Sequence, residues 1–167
     1  MIETARLLLR KPTAADVEDP PAFLRDPRVM DFLGGVDDPA TVAVVVQQWI
    51  DSWEKYRFGK LIIETRDGER IGRTGVNFYD PVTWERSNAS DAQGELTWAI
   101  AYEHWGNGYA GEAAIAVRER FPEGLISLIA PANARSQRVA EKLGCTPGET
   151  VELPHGGPHV IWTHPRT

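Results

Sequence analysis

The chain's 167 residues, 42% hydrophobic and 25% charged with six Trp, describe a single globular domain over residues 1–167, able to bury a core, and exclude disorder and a fibrous repeat. No apolar run approaches the ~18 residues of a membrane helix, and the lone cysteine, Cys145, allows no internal disulfide, which predicts a cytoplasmic protein. A net charge of -6 gives nonspecific binding of nucleic acid or acidic lipid no basis, so neither nucleic acid nor membrane is expected as a partner.

Leu7 and Leu9 alternate with Arg6, Leu8 and Arg10, which predicts a first strand near residues 5–10. Thr13 followed by Asp16 is a capping-box start for a short helix that Pro20-Pro21 interrupts, and a loop rich in Asp, Gly and Pro runs from Asp26 to Asp38. Asp38-Pro39 supplies an N-cap and a first-turn proline. Val42, Val45, Val46, Trp49, Trp53 and Tyr56 then recur at helical spacing over roughly seventeen residues, ended by Gly59. Strands are predicted over Lys60–Thr65 and from Arg70 towards Tyr79, joined by an Asp67-Gly68 turn. A polar loop, Asp80 to Gly94, leads to a strand over Glu95–Ala101, a helix over Tyr109–Arg120 and a short buried strand over Leu125–Ala130. Asn133 opens a helix that Gly144 closes, and two final strands flank Pro154–Gly157. The strand–helix–strand unit of residues 95–130 is a parallel crossover, right-handed by rule, so the whole reads as a mixed sheet covered by helices.

The segment Trp105-Gly106-Asn107-Gly108-Tyr109-Ala110-Gly111 stands between a strand and a helix. Its glycines permit close backbone approach and positive φ, and the helix it opens leaves about four unpaired N–H groups and roughly half a positive charge at its N-terminus. Together these suit a phosphate or pyrophosphate, although a Gly-rich turn can also be a mere connector. Gly106, Gly108 and Gly111 satisfy G-x-G-x-x-G. A dinucleotide site, however, wants glycines directly after the strand and a carboxylate at the end of the next one, where Ala130-Pro131-Ala132 stands instead. A P-loop fails for lack of Gly-Lys-Ser/Thr, and a kinase loop needs a far longer chain.

Residues 95–111, Glu-Leu-Thr-Trp-Ala-Ile-Ala-Tyr-Glu-His-Trp-Gly-Asn-Gly-Tyr-Ala-Gly, resemble the acyl-CoA signature of the GNAT N-acetyltransferases. The match is to the branch containing the Rim-type ribosomal-protein N-terminal acetyltransferases, and Glu112-Ala113-Ala114 continues it. A second block, Asn133-Ala134-Arg135-Ser136 through Glu141-Lys142-Leu143-Gly144, resembles that family's next helix. The openings Thr4–Arg10 and Ile71–Gly75 are similar as well. The resemblance implies an α/β fold with a GNAT-like mixed, largely antiparallel sheet of six to seven strands and about four helices, in the order β-α-α-β-β-β-α-β-α-β-β. It departs from the family at Trp105, where a Gln or Arg is commoner, and at Cys145, where Phe is usual. The position of the Tyr that often protonates the leaving thiolate holds Ala140.

The activity so implied is direct transfer of an acetyl group from acetyl-CoA to an amine in a ternary complex, without a metal. The diphosphate would sit on the amides of Gly106, Asn107, Gly108, Tyr109, Ala110 and Gly111, beside Trp105. The pantetheine arm would run along Trp98, Ala99 and Ile100, with Asn133 on its far side. Backbone groups near Ile100 would polarise the thioester, and Ser136 would stand in for the acid tyrosine. Glu95 and Glu152 are the candidate bases, each also readable as a solvated strand-end carboxylate, and Asn133 is also a plain N-cap. Deprotonating a lysine at pH 7 costs about 4.6 kcal/mol against about 1 kcal/mol for an α-amine, so an N-terminal acceptor needs the weaker base.

The expected partner is an amine, either a small molecule or a protein N-terminus, with the protein a monomer or homodimer. Acceptor choice falls to the loops around residues 26–38, 80–94 and 154–157, where Asp31, Asp37, Asp38, Phe32 and Trp84 hint at a cation. Without the acid Tyr, a non-catalytic acyl-CoA-binding sensor is the alternative. His155, His159 and His164 flank turns and lack a fourth ligand at a recognised spacing, so no zinc site is expected. Cys145 reads as a small core filler and the Trp49/Trp53 stripe as core.

Overall fold

The computed structural model describes residues 1–35, 38–121, 124–154 and 156–166. An eight-stranded sheet runs in the order β1-β2-β3-β4-β5-β6-β8-β7. Its strands are β1 (Ile2–Glu3), β2 (Leu7–Arg10), β3 (Lys60–Thr65), β4 (Arg70–Tyr79), β5 (Gln93–Ile100), β6 (Ile126–Ile129), β7 (Thr146–Leu153) and β8 (Gly157–Thr163). The α-helices among the described residues are α1 (Ala14–Glu18), α2 (Pro27–Met30), α3 (Pro39–Tyr56), α4 (Tyr109–Arg118) and α5 (Ala134–Lys142). Every pairing is antiparallel except β5–β6. This is the expected mixed α/β architecture with additions. A two-residue strand pairs Ile2 and Glu3 with Leu9 and Leu8, and a turn of helix, α2, forms inside the predicted Asp26–Asp38 loop.

The caps explain both the agreement and the shifts at the ends. Asp16 reaches back to the Thr13 amide at 2.8 Å and starts α1. Asp38 accepts from the amides of Ala40 and Thr41 and starts α3. That helix stops at Arg57, whose left-handed φ of 63° ends the repeat two residues before the expected Gly59. One β-sheet constraint is steric: a Cβ on Gly72 would come within 2.3 Å of the Ala99 carbonyl oxygen, so only glycine lets β4 lie this close to β5.

Side-chain alternation divides the core between the two faces of the sheet. Leu7, Leu9, Ile63, Leu96, Trp98 and Ile100 pack with Ala113, Ala114, Val117 and Ala140 of α4 and α5. Phe23, Leu24, Val29, Val42 and Val46 pack against Ala99 on the other side, with Trp49 beside them. Trp53 joins the first cluster, so the Trp49/Trp53 stripe is core, as is Cys145, whose thiol burial raises to a pKa of about 11.

β5 and β6 run parallel yet share a single register pair, Glu95 with Ile126. Beyond it they diverge, and the gap between them is the centre of the site.

Candidate active site

A cavity of about 420 Å³ opens where β5 leaves β6. Of the residues singled out in the sequence, Trp98, Ala99 and Ile100 form one wall, Trp105, Gly106, Gly108, Tyr109, Ala110 and Gly111 the mouth, and Asn133 and Ser136 the opposite wall. Gly108 is the N-cap of α4 with φ of 79° and no side-chain cap, so the first-turn amides of that helix are left to an incoming group. A Cβ at Gly106 or Gly111 would meet nothing within 4 Å, which shows free space over the loop.

Asn107 is not part of the lining. Its side-chain amide donates to the carbonyls of His104 and Trp105, and its own carbonyl accepts from Arg6, so its side chain shapes the loop.

The splayed edge of β5 has a defined set of free groups. The Ala101 amide donates to Ile71 on β4, so by alternation the N–H groups of Trp98 and Ile100 point towards the gap. The Ile100 carbonyl is already taken by the Trp105 indole at 2.7 Å, which leaves the amides of Trp98 and Ile100 as the free donors on this stretch of the edge. On the same edge, Ser127 Oγ donates to the Leu96 carbonyl at 2.5 Å. His164 Nε2 lies 2.9 Å from that hydroxyl. With the serine proton on Leu96, the imidazole carries its proton on Nε2 and donates to Ser127.

Asn133 caps α5 by accepting from the Ser136 amide at 3.1 Å, which fixes Ser136 at the first turn with its side chain towards the cavity. Helical spacing then brings Arg135, Arg138, Val139 and Lys142 onto the same wall. In the sequence that wall is an i, i+3, i+4, i+7 series after the Asn cap, a signal that local rules can supply. Arg135 lies 4.0 Å from the Trp105 ring centroid and donates to the Arg28 carbonyl at 3.0 Å, tying α5 to α2. Val29, Phe32 and Leu33 close the cavity from that side; Phe32 belongs to the loop expected to face the acceptor, while Val29 and Leu33 carry no local signal.

A smaller second cavity, about 30 Å³, continues past the gap and is lined by Glu95, Thr97, Ser127, Ser136, His159 and Phe32 among others. Glu95 therefore faces this second cavity. Glu152 does not line either cavity: it is exposed on the outer strand β7, with β8 between it and β6. Its neighbour Val151 pairs with His159, which lines the second cavity, so alternation turns Glu152 to the opposite face. Of the expected acceptor-loop acids, Asp38 is engaged as the α3 cap, and Asp37, like His155, lies outside the described residues. Among the described residues no three His, Cys, Asp or Glu side chains gather as metal ligands. No described helix is long and apolar enough to cross a membrane.

Comparison with known proteins fits this geometry. Residues 6–146 match the family model described as the acetyltransferase (GNAT) domain. The chain belongs to the GNAT acetyltransferase family. Within it, the chain is 35% identical to the uncharacterized protein YkkB of Bacillus subtilis, over 77% of this chain and 74% of that one. It is 30% identical to a crystallised acetyltransferase from Agrobacterium tumefaciens, with a TM-score of 0.77 over 98% of this chain and 94% of the other. The fold is also that of the aminoglycoside acetyltransferase AAC(6')-Ib, solved in complex with coenzyme A, at 21% identity and a TM-score of 0.78 over 96% and 95% of the two chains. As a GNAT acetyltransferase, the protein has a fold whose solved members include CoA complexes, and transfer of an acyl group to an amine is the activity the family supports.

Proposed function

We propose that residues 1–167 act as one cytoplasmic domain that transfers acetyl from acetyl-CoA directly to an amine, in a ternary complex. The observation that carries this reading is the continuity of the larger cavity: it joins the α4 N-terminus, the open edge of β5 and the α5 cap in one cleft. The residues present suit acetyl-CoA, since a long donor with a pyrophosphate at one end needs free amides there and an open strand edge beside its arm.

In this reading the amides from Gly106 to Gly111 hold the diphosphate, with Asn107 contributing backbone alone. Arg135, Arg138 and Lys142 add positive charge along α5. Trp98, Ala99 and Ile100 align the pantetheine arm, opposite Asn133. Acetyl-CoA supplies the activated acyl group. The Ile100 amide stabilises charge developing on the acyl oxygen, because Trp105 has already neutralised the adjacent carbonyl. Ser136, at the junction of both cavities, donates a proton to the departing thiolate, in the absence of a tyrosine at Ala140. Glu95 takes the proton from the attacking amine or orients it; Glu152, turned away, does neither unless the β7–β8 hairpin moves. The acceptor enters past Phe32 and Thr97. The motif blocks at residues 95–114 and 133–144 support placement in the Rim-like branch, and acceptors of both kinds, a protein N-terminus and a small-molecule amine, fit a cleft of this form.

The buried Ala140 in the acid-tyrosine position favours one other reading, a sensor that binds acyl-CoA without turnover. Release of free thiol from acetyl-CoA in the presence of a panel of amines and peptide N-termini separates the two. Acceptor-dependent thiol release is the expected outcome; tight CoA binding with no release on any acceptor overturns the enzyme reading.

A further inference from the structure

His159, on β8, lines the second cavity together with Glu95, Thr97 and Ser136. That cavity shares Phe32, Leu33, Trp98, Asn133 and Ser136 with the larger one, so the two adjoin. Its volume of about 30 Å³ is the room of roughly two waters, or of an amine nitrogen and its carbon.

Strand register puts His159 level with the free amides of β5. Glu95 is paired with Ile126 across the parallel strands, and Ile129 with Val160 across the antiparallel ones. One residue past Ile129, Ala130 is therefore level with His159 on one side and, on the other, with Ala99. Trp98 and Ile100, whose amides point into the gap, flank Ala99. Leu128 pairs with Ile161 and lies two residues from Ile126, so alternation sets Glu95, Thr97, Ala99, Ile161 and His159 on one face of the sheet. Glu95 stands four residues before Ala99, about 13 Å along the strand. Along the strand direction it is His159, not Glu95, that is level with the acyl position.

The ring is also set up to accept a proton. His159 Nδ1 lies 3.1 Å from the Gly157 carbonyl oxygen, which can only accept, so Nδ1 carries the hydrogen. In the neutral imidazole Nε2 then holds a lone pair, and no described residue hydrogen-bonds to it. Pairing of His159 with Val151 fixes the backbone from which the ring projects.

We infer that His159 Nε2 takes the proton from the attacking amine, which leaves Glu95 to orient the acceptor from further down the same face. This inference rests on the acetyltransferase reading and adds a catalytic residue to it. As the nitrogen's lone pair forms the C–N bond, the C–S bond breaks and the sulfur takes a proton from Ser136. The nitrogen gives one proton to Nε2. The imidazolium passes it to water, from which Ser136 regains its own.

The test pairs two substitutions, with ethanolamine, spermidine, glycinamide and an alanine-initiated peptide as acceptors. His159→Ala removes the ring, whereas His159→Asn keeps an N–H where Nδ1 donates to Gly157 but has no basic nitrogen. Both should lower kcat for thiol release by about a hundredfold or more, with KM for acetyl-CoA unchanged. Added imidazole should restore part of the rate to His159→Ala, because the hole left by the ring admits it. Unchanged CoA affinity and a cooperative melt show that each variant is folded. Apart from turnover, nitrogen NMR of the wild-type ring in alkaline buffer should find Nδ1 protonated and Nε2 bare; a proton on Nε2 overturns the inference. Wild-type kcat in His159→Asn, or a loss in His159→Ala that imidazole leaves unrepaired, also overturns it and leaves the acetyltransferase reading intact. No thiol release by the wild type with any acceptor overturns both.

Discussion

Arg6 and Glu112, 106 residues apart, meet at 2.7 Å between Nε and Oε2 and lock the start of α4 to the chain just before β2. The same glutamate accepts from the Arg6 amide at 2.9 Å and from Thr4 Oγ1 at 2.6 Å. Arg6 Nη1 donates to the Asn107 carbonyl at 2.9 Å, and its guanidinium lies 4.6 Å from the Tyr109 ring centroid. Burial alone would raise the Glu112 carboxyl, but the hydrogen bonds from Thr4 and Arg6 outweigh it and hold its pKa below the usual range. The Trp105–Gly111 loop is thus held from outside by a carboxylate and an arginine that do not line the cavity. Glu112→Gln is expected to weaken CoA binding about tenfold through loss of charge-assisted bonds, with a small change in melting temperature. Calorimetric titration with CoA alongside a thermal melt measures both. An affinity equal to wild type would show that the loop keeps its shape without this anchor.

Gly108 sits at positive φ where an anion would approach. Gly108→Asp combines left-handed strain of about 1 kcal/mol with a carboxylate beside the diphosphate, and CoA binding should be lost. Gly108→Asn carries similar shape, tolerates the left-handed region and lacks the charge, so it should retain most of the affinity. Calorimetry on the pair separates strain from electrostatics, and equal losses in both would place the anion elsewhere.

Ser136 and Glu95 predict different kinetic signatures. Ser136→Ala should lower kcat by about tenfold or more while leaving the Kd for CoA within about threefold, because a proton donor acts in the transition state. Glu95→Gln should lower kcat/KM for the amine. Glu152→Gln should change either quantity less than Glu95→Gln does. Steady-state kinetics over pH 6–9 read all three, and a larger effect at Glu152 would mean that the β7–β8 hairpin folds over the acceptor.

His164 links stability to pH. Burial, then the charge of Arg118, holds its imidazole at a pKa of about 4, whereas an unfolded histidine titrates near 6.5. Between those values the unfolded chain binds more protons than the folded one, so stability is full above about 6.5 and falls as pH drops towards 4. At pH 5 the loss is roughly 2 kcal/mol. Asp16, held at about 2 against its burial by the Arg10 bond, loses its own contribution only below about 3.8, in a separate window. Thermal melts from pH 7 to 4.5 should therefore show a falling melting temperature, flattened in His164→Asn. The same slope in that variant would assign the effect to another group.

Much of this protein is written in short range. The Asp38-Pro39 cap, the Asp67-Gly68 turn, the Trp105–Gly111 loop and the Asn133 cap each act within a few residues, and each stands where periodicity and capping rules put it. For the same reason the loop and strand residues of the larger cavity could be named from their neighbours in the chain.

What needed the tertiary structure was every relation that crosses the sheet. Strand order decides that β8, not β7, lies beside β6, and one step of alternation then turns Glu152 away while Glu95 faces inwards. The single pair between β5 and β6 sets which backbone groups stay free, and Trp105 removes one of them. Arg73 and Lys60 read as ordinary strand charges until three strands are laid side by side and close them off from water. Local rules fix a residue's conformation, but which face it shares and what solvent it loses are set by partners tens of residues away.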